Sequence, residues 1–396
     1  MFGVATLAGR ASTNVRDGAG TVYPIITPNG VVYLVYIDLN IDVVYRKSTD
    51  GGITWSDQVT IFTGTAVQLS VWYDRWSNIS AGLIHCAYTE SVTDDTKYRS
   101  INTESADALS SETTIFAGAS TAGGGALSIT RARGGNLYCK VMIDAGAEGG
   151  FFRSVDVGAN WTSRTDSEAL ATTDQWILMP GWAADNQDVM TFFWDASADE
   201  ISRCLYDDSG DSWAESSIAT TMVDIVAGVT YPHFAAAVDI TNSQNLLVAW
   251  SGVDTANADL RCFKVTESAI TEVTNVVLNS TDDQGFAGIG IDTSTDDWYV
   301  FYAGSSDGAE TWSSAMSGYY KKSTDDGATW GAETKFTLTS TTLGVGFLWV
   351  CPRFPAHEVV IFADSFGTHL FANVDTPTAA AGGLMRHPGM NGGLSA

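Results

Sequence analysis

The sequence predicts an all-β protein, a seven-bladed β-propeller with four-stranded antiparallel blades. Three observations support this fold class. A pattern of apolar segments recurs seven times along 396 residues, each repeat consists of short β-rich runs separated by turn residues, and no helical period is sustained. The 39 glycines and the 13 Trp, 14 Tyr and 17 Phe also suit many short strands joined by tight turns.

The repeat is clearest in the segments that follow each run of alternating apolar residues. These segments start 50 to 60 residues apart, which is about the size of one propeller blade. They read YRKSTDGGITW from Tyr45, YRSINTES from Tyr98, FRSVDVGANW from Phe152, SRCLYDDSGDSW from Ser202, LRCFKVTES from Leu260, YKKSTDDGATW from Tyr320 and, more weakly, LFANVD from Leu370.

Each unit contains an inner strand and three further strands, which in the first unit cover 22–30, 31–38, 42–48 and 58–64. The last unit shows only three strands, and the N-terminal run 2–9 has the pattern of the missing fourth one. We therefore expect the N-terminal strand to close the last blade, because an open ring would leave unpaired sheet edges. Residues 1–375 form one propeller in this interpretation, and 376–396 form a flexible C-terminal tail.

Composition limits the classes of partner and cofactor. The formal net charge is -26, from 20 basic and 46 acidic residues, so the surface would repel nucleic acid and anionic membranes. No signal peptide and no apolar run of membrane-span length is present. The five cysteines are widely spaced and the five histidines are scattered, which predicts buried free thiols, no disulfide framework, no metal site and no cofactor.

A short motif, S-x-D-x-G-x-[TN]-W, occurs in register with the repeat. Its Asp can accept backbone N–H groups in its own turn, its Gly can adopt positive φ, and its Trp can be buried between strands. We interpret these residues as structural. Three copies are complete and a fourth lacks the serine: Ser48, Asp50, Gly52 and Trp55; Ser154, Asp156, Gly158 and Trp161; Ser323, Asp325, Gly327 and Trp330; and Asp208, Gly210 and Trp213.

These motifs resemble the Asp-box (BNR) repeats of the sialidase-like β-propeller superfamily. The resemblance implies boxes on the blade periphery and, in catalytic members, a tyrosine nucleophile helped by a glutamate, an aspartate acid/base and three arginines. Val22 stands before Tyr23 and Pro24 where the first arginine is expected, and no inner strand carries a mid-strand arginine. The remaining arginine candidates lie near strand ends: Arg75, Arg131, Arg133 and Arg353. We therefore predict no catalytic residues and expect these arginines to be exposed rim charges, and leave enzyme activity open.

Aromatic and basic residues at the ends of inner strands are the candidate binding residues. They could stack on sugars, form a protein interface, or pack as an apolar plug. This set consists of Trp72, Tyr73, Arg75, Trp76, Trp182 and Arg353.

The tail has no acidic residue and carries spaced anchors that could dock on a neighbouring subunit: Leu384, Met385, Arg386 and Met390. Together with the missing export signal, these features favour a non-catalytic structural or binding propeller in a phage virion. The expected partners are other virion proteins or copies of the chain. The alternatives are a sialidase-like exo-glycosidase, or a glycan-binding lectin or receptor-binding protein.

Overall fold

A computed structural model gives the fold of the chain. It describes residues 4–7, 22–38, 40–50, 54–73, 82–118, 127–142, 149–166, 175–182, 186–195, 198–220, 234–239, 244–250, 260–273, 276, 285–304, 318–335, 347–354, 358–365 and 368–375. The regular structure within these ranges is entirely β-strand, as the sequence predicts. Accordingly, the described residues contain no helix long and apolar enough to cross a membrane.

The chain begins with β1 (Val4–Leu7) and continues through blades in which consecutive strands are hydrogen-bonded neighbours. The first blade contains β2 (Val22–Ile26), β3 (Val32–Ile37), β4 (Val43–Ser48) and β5 (Val59–Phe62). The second contains β6 (Ala66–Tyr73), β7 (Leu83–Glu90), β8 (Thr96–Asn102), β9 (Ala108–Leu109) and β10 (Thr113–Phe116). The third contains β11 (Leu127–Arg131), β12 (Leu137–Met142), β13 (Gly149–Ser154) and β14 (Thr162–Arg164).

The second half of the chain repeats this arrangement. The fourth blade contains β15 (Gln175–Pro180), β16 (Val189–Asp195), β17 (Glu200–Asp207) and β18 (Ser212–Thr220). The fifth contains β19 (Phe234–Asp239), β20 (Gln244–Trp250), β21 (Leu260–Val265) and β22 (Ile270–Glu272). The sixth contains β23 (Gly285–Asp292), β24 (Trp298–Ala303), β25 (Gly318–Ser323) and β26 (Thr334–Lys335), and the chain ends with β27 (Phe347–Val350), β28 (Arg353–Phe354), β29 (Glu358–Ser365) and β30 (Thr368–Asp375).

The prediction of seven equivalent four-stranded antiparallel blades is wrong. The described residues form six blades, of which the first five are each built from one continuous stretch of chain, and two of the six have five strands rather than four. The fifth strand of the sixth blade, β28, runs parallel to the inner strand β23 and pairs Arg353 with Ile291. The remaining sheet is a composite of both chain ends in the order β1-β30-β29-β27. The chain after β27 therefore covers an inner-strand edge of the sixth blade before it returns to the last sheet at β29.

The N-terminal strand does pair with the end of the chain. Val4 in β1 lies opposite Ala372 in β30, and Leu7 lies opposite His369. This antiparallel pairing joins the two ends of a long chain within one sheet, so that closure of the fold depends on contacts nearly the whole chain apart. The tail 376–396, with Leu384, Met385, Arg386 and Met390, lies outside the described residues.

The hydrophobic core lies between neighbouring sheets. Between the second and third blades, for example, buried Ala87 and Tyr98 pack against Leu127, Cys139 and Phe152. Strands buried on both faces explain the nearly continuous apolar runs such as Val32–Ile37, all six residues of which are buried. The five cysteines are free and buried, as expected from their spacing.

Candidate functional site

The first strand of each blade lies innermost, and together with β27 and β28 these strands surround a central cavity of about 240 Å³. Neighbouring inner strands contact one another around the ring in the order β2, β6, β11, β15, β19, β23 and β27. Because the inner strands other than β23 have blade partners on one side only, their other edges face the cavity or the next blade. The cavity is therefore where backbone and side-chain groups from all parts of the chain meet.

Serine side chains from one blade accept hydrogen bonds from backbone N–H groups on the inner strand of the next blade. The Ser70 hydroxyl oxygen accepts the backbone N–H of Ile129 at 3.0 Å, and the Ser128 hydroxyl oxygen accepts that of Leu178 at 2.9 Å. Tyr23 donates its phenol hydroxyl to the Leu69 carbonyl oxygen at 3.0 Å. These bonds tie the inner strands of the first four blades together and use polar groups of the wall for structure rather than for a ligand.

The partly exposed side chains around the cavity form two unlike arcs. The aromatic arc consists of Tyr23, Trp72, Tyr73, Trp349 and Arg353, from β2, β6, β27 and β28, which are neighbours in the ring.

The small-residue arc consists of Ile177, Ala235 and Ala236, from β15 and β19 across the cavity, and these side chains also pack against the cores between neighbouring blades. Trp176 and Phe234 also line this side, but both side chains are buried. One half of the wall thus carries most of the partly exposed rings, together with Val71 and Val350, whereas the partly exposed side chains of the other half are aliphatic.

Three of the six predicted binding residues meet at this cavity. Trp72, Tyr73 and Arg353 belong to the aromatic arc, whereas Arg75 and Trp76 lie outside the described residues. Trp182 is placed elsewhere: its indole N–H donates to the Val265 carbonyl oxygen at 3.1 Å, and its ring packs in the core between the fourth and fifth blades.

Sequence reasoning missed Tyr23 and Trp349 as wall residues. Both lie on inner strands, as Trp72 does, so a comparison of aromatic positions along the inner strands would have found them.

The arginines that could replace a sialidase clamp do not converge within the described structure. Arg131 is only 1% exposed and donates to the Gly135 carbonyl oxygen at 2.9 Å, so it is not the exposed rim charge that the sequence suggested. Arg133 donates to the Trp182 carbonyl oxygen. Arg353 alone among these candidates lines the cavity, and Arg75 falls outside the described residues.

Carboxylates in the first blade accept hydrogen bonds from neighbouring loop residues and so stabilise these loops. Asp38 accepts the backbone N–H groups of Asn40 at 2.8 Å and Asp42 at 3.0 Å, and the Gln58 amide at 2.7 Å. Asp42 in turn accepts the Gly64 N–H at 2.9 Å. None of the described residues that line the cavity is an Asp or Glu, and the described residues contain no group of three His, Cys, Asp or Glu side chains suited to a metal ion.

The complete motif copies form hydrogen-bonded hairpins with one repeated geometry. In the third blade, Ser154 donates to the Asp156 carboxylate at 2.8 Å and accepts the Gly158 N–H at 2.8 Å. Asp156 also accepts the Asn160 backbone N–H at 2.8 Å and side-chain amide at 2.6 Å. These donors lower the pKa of Asp156.

The other two complete copies repeat this pattern. The hydroxyls of Ser48 and Ser323 donate to Asp50 and Asp325 at 2.7 and 2.8 Å. Thr329 supplies the backbone and hydroxyl donors that lower the pKa of Asp325. Gly52 lies outside the described residues, whereas Trp330 packs against the core between the fifth and sixth blades.

The hairpin of the third blade rests on the second blade. Gly158 has φ of 87°, and a Cβ on it would lie 2.0 Å from the ring of Tyr98, which is buried in β8. Trp161 meets the same ring edge-on with a centroid separation of 5.5 Å. The motif glycine is therefore required both by its backbone conformation and by this close approach between blades.

The fourth motif has a different role. Its Asp208 accepts Arg153 of the third blade at 2.7 Å and lies 3.7 Å from Arg164, while Asp207 accepts the turn N–H groups of Ser209 and Gly210. The Trp213 indole donates to the Thr165 carbonyl oxygen at 2.8 Å, again in the third blade. Without the serine, the motif aspartate binds the neighbouring blade instead of its own turn.

A buried histidine lies next to the Tyr98 contact. Burial, and then the nearby charge of Arg131, lower the pKa of His85 to about 3, so the ring is neutral at physiological pH. Its Nδ1 lies 2.7 Å from the Tyr98 hydroxyl, which donates to the Val157 carbonyl oxygen at 3.3 Å.

Comparison with known proteins gives the fold alone. No protein-family model and no curated protein matches the chain. Among solved structures, the chain is similar to the BP39L lectin from Burkholderia pseudomallei, with 15% identity over 91% of this chain and 99% of the lectin and a TM-score of 0.62.

It is also similar to an ulvan lyase bound to -[GlcA(1-4)Rha3S]-, with 11% identity over 92% and 95% of the two chains and a TM-score of 0.57. A third similar structure is a xyloglucanase from Xanthomonas campestris, with 13% identity over 93% of this chain and 53% of the enzyme and a TM-score of 0.56. The neighbours are β-propellers that bind or act on glycans, and at these identities the likeness establishes the β-propeller architecture.

Proposed function

We propose that the protein binds a single sugar residue of a glycan in the central cavity and does not cleave it. The observation that carries the proposal is the aromatic arc, in which Tyr23, Trp72, Tyr73 and Trp349 surround the cavity beside Arg353. Ligand pockets typically combine apolar and aromatic walls with a few polar groups that orient the ligand. The lectin and polysaccharide-active enzymes among the structural neighbours support the same class of ligand.

The size of the cavity favours one sugar ring over a long oligosaccharide. Its volume of about 240 Å³ lies just below the range of roughly 300–1,000 Å³ that is usual for drug-sized ligands. The rings of Trp72, Tyr73 and Trp349 can cover the C–H face of a sugar, and Arg353 adds a cationic side chain to the same side of the wall. The rest of a glycan would extend into solvent.

Binding is favoured over hydrolysis by the chemistry of the wall. Most glycosidases flank the scissile bond with two carboxylates, and sialidase-like enzymes pair a tyrosine nucleophile with acidic helpers. The described wall offers tyrosines but no Asp or Glu. Burial also raises the pKa of Tyr23 well above its usual value, which opposes formation of a nucleophilic phenolate. The three Ser-to-Asp hairpins support a sialidase-like, Asp-box ancestry for this non-catalytic site.

A binding experiment tests the proposal. Glycan-array screening of the full chain, followed by calorimetry on the best hits, should detect a glycan that binds with 1:1 stoichiometry. Tyr73→Ala should weaken this binding at least tenfold, because it removes a ring and a hydroxyl from the wall. Trp55→Ala, which removes a peripheral aromatic ring of the first motif, should leave the affinity unchanged. Equal loss in both variants, or no glycan bound at all, would overturn the proposal.

A hydrolysis assay tests the enzymatic alternative. We expect no turnover of a fluorogenic sialoside panel by the wild type or by Val22→Arg, which places an arginine where the resembled family carries one. Val22 lines the cavity and is 4% exposed. Turnover by the wild type would show that the catalytic groups have been relocated on this fold.

A place in a phage particle, with other virion proteins or copies of the chain as partners, is a separate proposal. It rests on the composition and on the C-terminal tail, and no described residue bears on it. Mass spectrometry of purified particles, with the tail 376–396 deleted in a parallel sample, would test it. Retention of the truncated chain in the particle would contradict a docking role for the tail.

A further inference from the structure

The outer strand of the fourth blade, β18, differs in length from the outer strands of the other five blades. It extends over nine residues, Ser212–Thr220, whereas β5, β10, β14, β22 and β26 have two to four residues each. Within the described part of the chain, no strand pairs with the outer side of β18. Natural proteins usually keep such edges short or protect them, because a long free edge presents backbone N–H and C=O groups to another extended chain.

The side chains of β18 leave this edge accessible. Most of them are small, and Ala214 and Ser217 are exposed. The strand contains no Lys and no Pro, the residue types that most often protect an edge. Its pairing with β17 is regular from Ser212 to Ser217, and the register shifts only beyond Ser217, opposite Ile201. These six consecutive residues therefore offer a regular edge to a further strand.

The charge of this edge favours one class of partner. Glu215 is exposed within the regular stretch, and none of the described basic side chains forms an ion pair with it. Arg203, the one basic residue between positions 200 and 220, is buried and donates to the Thr266 carbonyl oxygen at 2.6 Å. A second copy of the chain would add another formal charge of -26 and be repelled. A basic segment would be attracted, and it could place a cation opposite Glu215.

We propose that β18 is the docking edge for a basic, extended segment of a partner protein, which adds a strand antiparallel to residues 212–217. Backbone hydrogen bonds supply the affinity of such a contact, and a Lys or Arg opposite Glu215 supplies specificity. An edge of this fold already accepts an extra strand, since β28 pairs with β23 through Arg353 and Ile291. The docking edge lies on the outer rim, so it is independent of the ligand proposed for the central cavity.

Fluorescence anisotropy with the full chain and a labelled, capped peptide that alternates lysine and valine tests the proposal. This peptide should bind at least tenfold more tightly than the same peptide with N-methyl groups on its inner backbone nitrogens, which keeps the charge but cannot pair as a strand. It should also bind at least tenfold more tightly than a peptide that alternates glutamate and valine. Equal affinity of the methylated peptide would show that charge attraction alone acts and would overturn the proposal, as would absence of binding by all three peptides.

Lysine substitutions locate the binding on β18. Ala214→Lys adds a positive charge to the exposed edge and should weaken binding of the lysine peptide at least fivefold. Thr60→Lys is the matched control, because Thr60 is exposed on the outer strand β5 and the same change of charge there should alter the affinity less than twofold. Glu215→Lys should reverse the preference in favour of the glutamate peptide. Equal losses in Ala214→Lys and Thr60→Lys would overturn the placement, and a dimer of the chain that Ala214→Lys abolishes would overturn the class of partner.

Discussion

The contact of the third-blade hairpin with the second blade leads to a quantitative prediction about Gly158. Gly158→Ala introduces two costs, since φ is 87° and the added Cβ would lie 2.0 Å from the Tyr98 ring. Left-handed backbone costs an L-residue about 1–2 kcal/mol, and a forced overlap in a packed core costs about 1–3 kcal/mol. The free energy of unfolding should therefore fall by about 2–5 kcal/mol.

Gly30→Ala is a matched control for this prediction. Gly30 has a similar φ of 81°, but nothing lies within 4 Å of the position that an added Cβ would take. Its loss should be confined to the backbone cost of about 1–2 kcal/mol. Urea denaturation followed by tryptophan fluorescence would compare the two variants, and the difference between them measures the contact between the blades.

Tyr98→Leu provides a further check on the same reasoning. In this background the ring is gone, so Gly158→Ala should cost no more than Gly30→Ala. Equal losses for Gly158→Ala and Gly30→Ala in the wild-type background would refute the reasoning. An undiminished loss for Gly158→Ala after removal of the Tyr98 ring would refute it as well.

Three other predictions concern charged and titrating groups. Asp208→Asn should lower the free energy of unfolding by about 2–3 kcal/mol in urea denaturation, because Arg153 loses its carboxylate partner and Arg164 keeps only Asp211. Glu272→Gln, which breaks an exposed pair with Arg261, should cost at most about 1 kcal/mol. Equal losses in the two variants would contradict the role of Asp208 between blades. The pKa of Asp156 is lowered in the fold, so its stabilising contribution is complete above about pH 4 and is lost as the pH falls further. Asp156→Asn should therefore make the free energy of unfolding less dependent on pH in this acid range. An NMR titration in which the Asp156 carboxyl shows the ordinary pKa of an aspartate would contradict this prediction. The pKa of His85 is lowered to about 3, so its contribution to stability is complete above about pH 6.5 and falls between pH 6.5 and 3 as the unfolded chain takes up a proton. Nitrogen-15 NMR should show a neutral His85 ring at pH 5, and a charged ring at that pH would contradict this prediction.

Local patterns in the sequence were sufficient for the strand content, but they predicted seven blades where the structure has six. Alternation of apolar residues fixes which runs can be strands, because a strand buries alternate or all residues against its neighbours. The same reasoning matched the N-terminal run to the incomplete last unit, and Val4 does pair with Ala372. The three complete motifs could also be recognised in the sequence, because the hydrogen bonds of each motif join residues only a few positions apart, as between Ser154 and Asp156.

The tertiary structure decided what depends on partners far away in the chain. Asp208 occupies the same motif position as the other motif aspartates, yet it forms an ion pair with Arg153 of the preceding blade. This arginine is not part of the motif, so the motif alone could not predict the ion pair. Trp72 and Trp182 occupy similar positions at the ends of inner strands and both pack against the core of the fourth and fifth blades, but of the two only Trp72 also lines the cavity.

The parallel pairing of Arg353 with Ile291 likewise brings β28 to the sixth blade and Arg353 to the cavity wall. The sequence by itself determined where strands form, since strand formation depends on neighbours a few residues away. Which side chains meet in the cavity was decided only by the closed ring of blades, because that ring joins residues hundreds of positions apart.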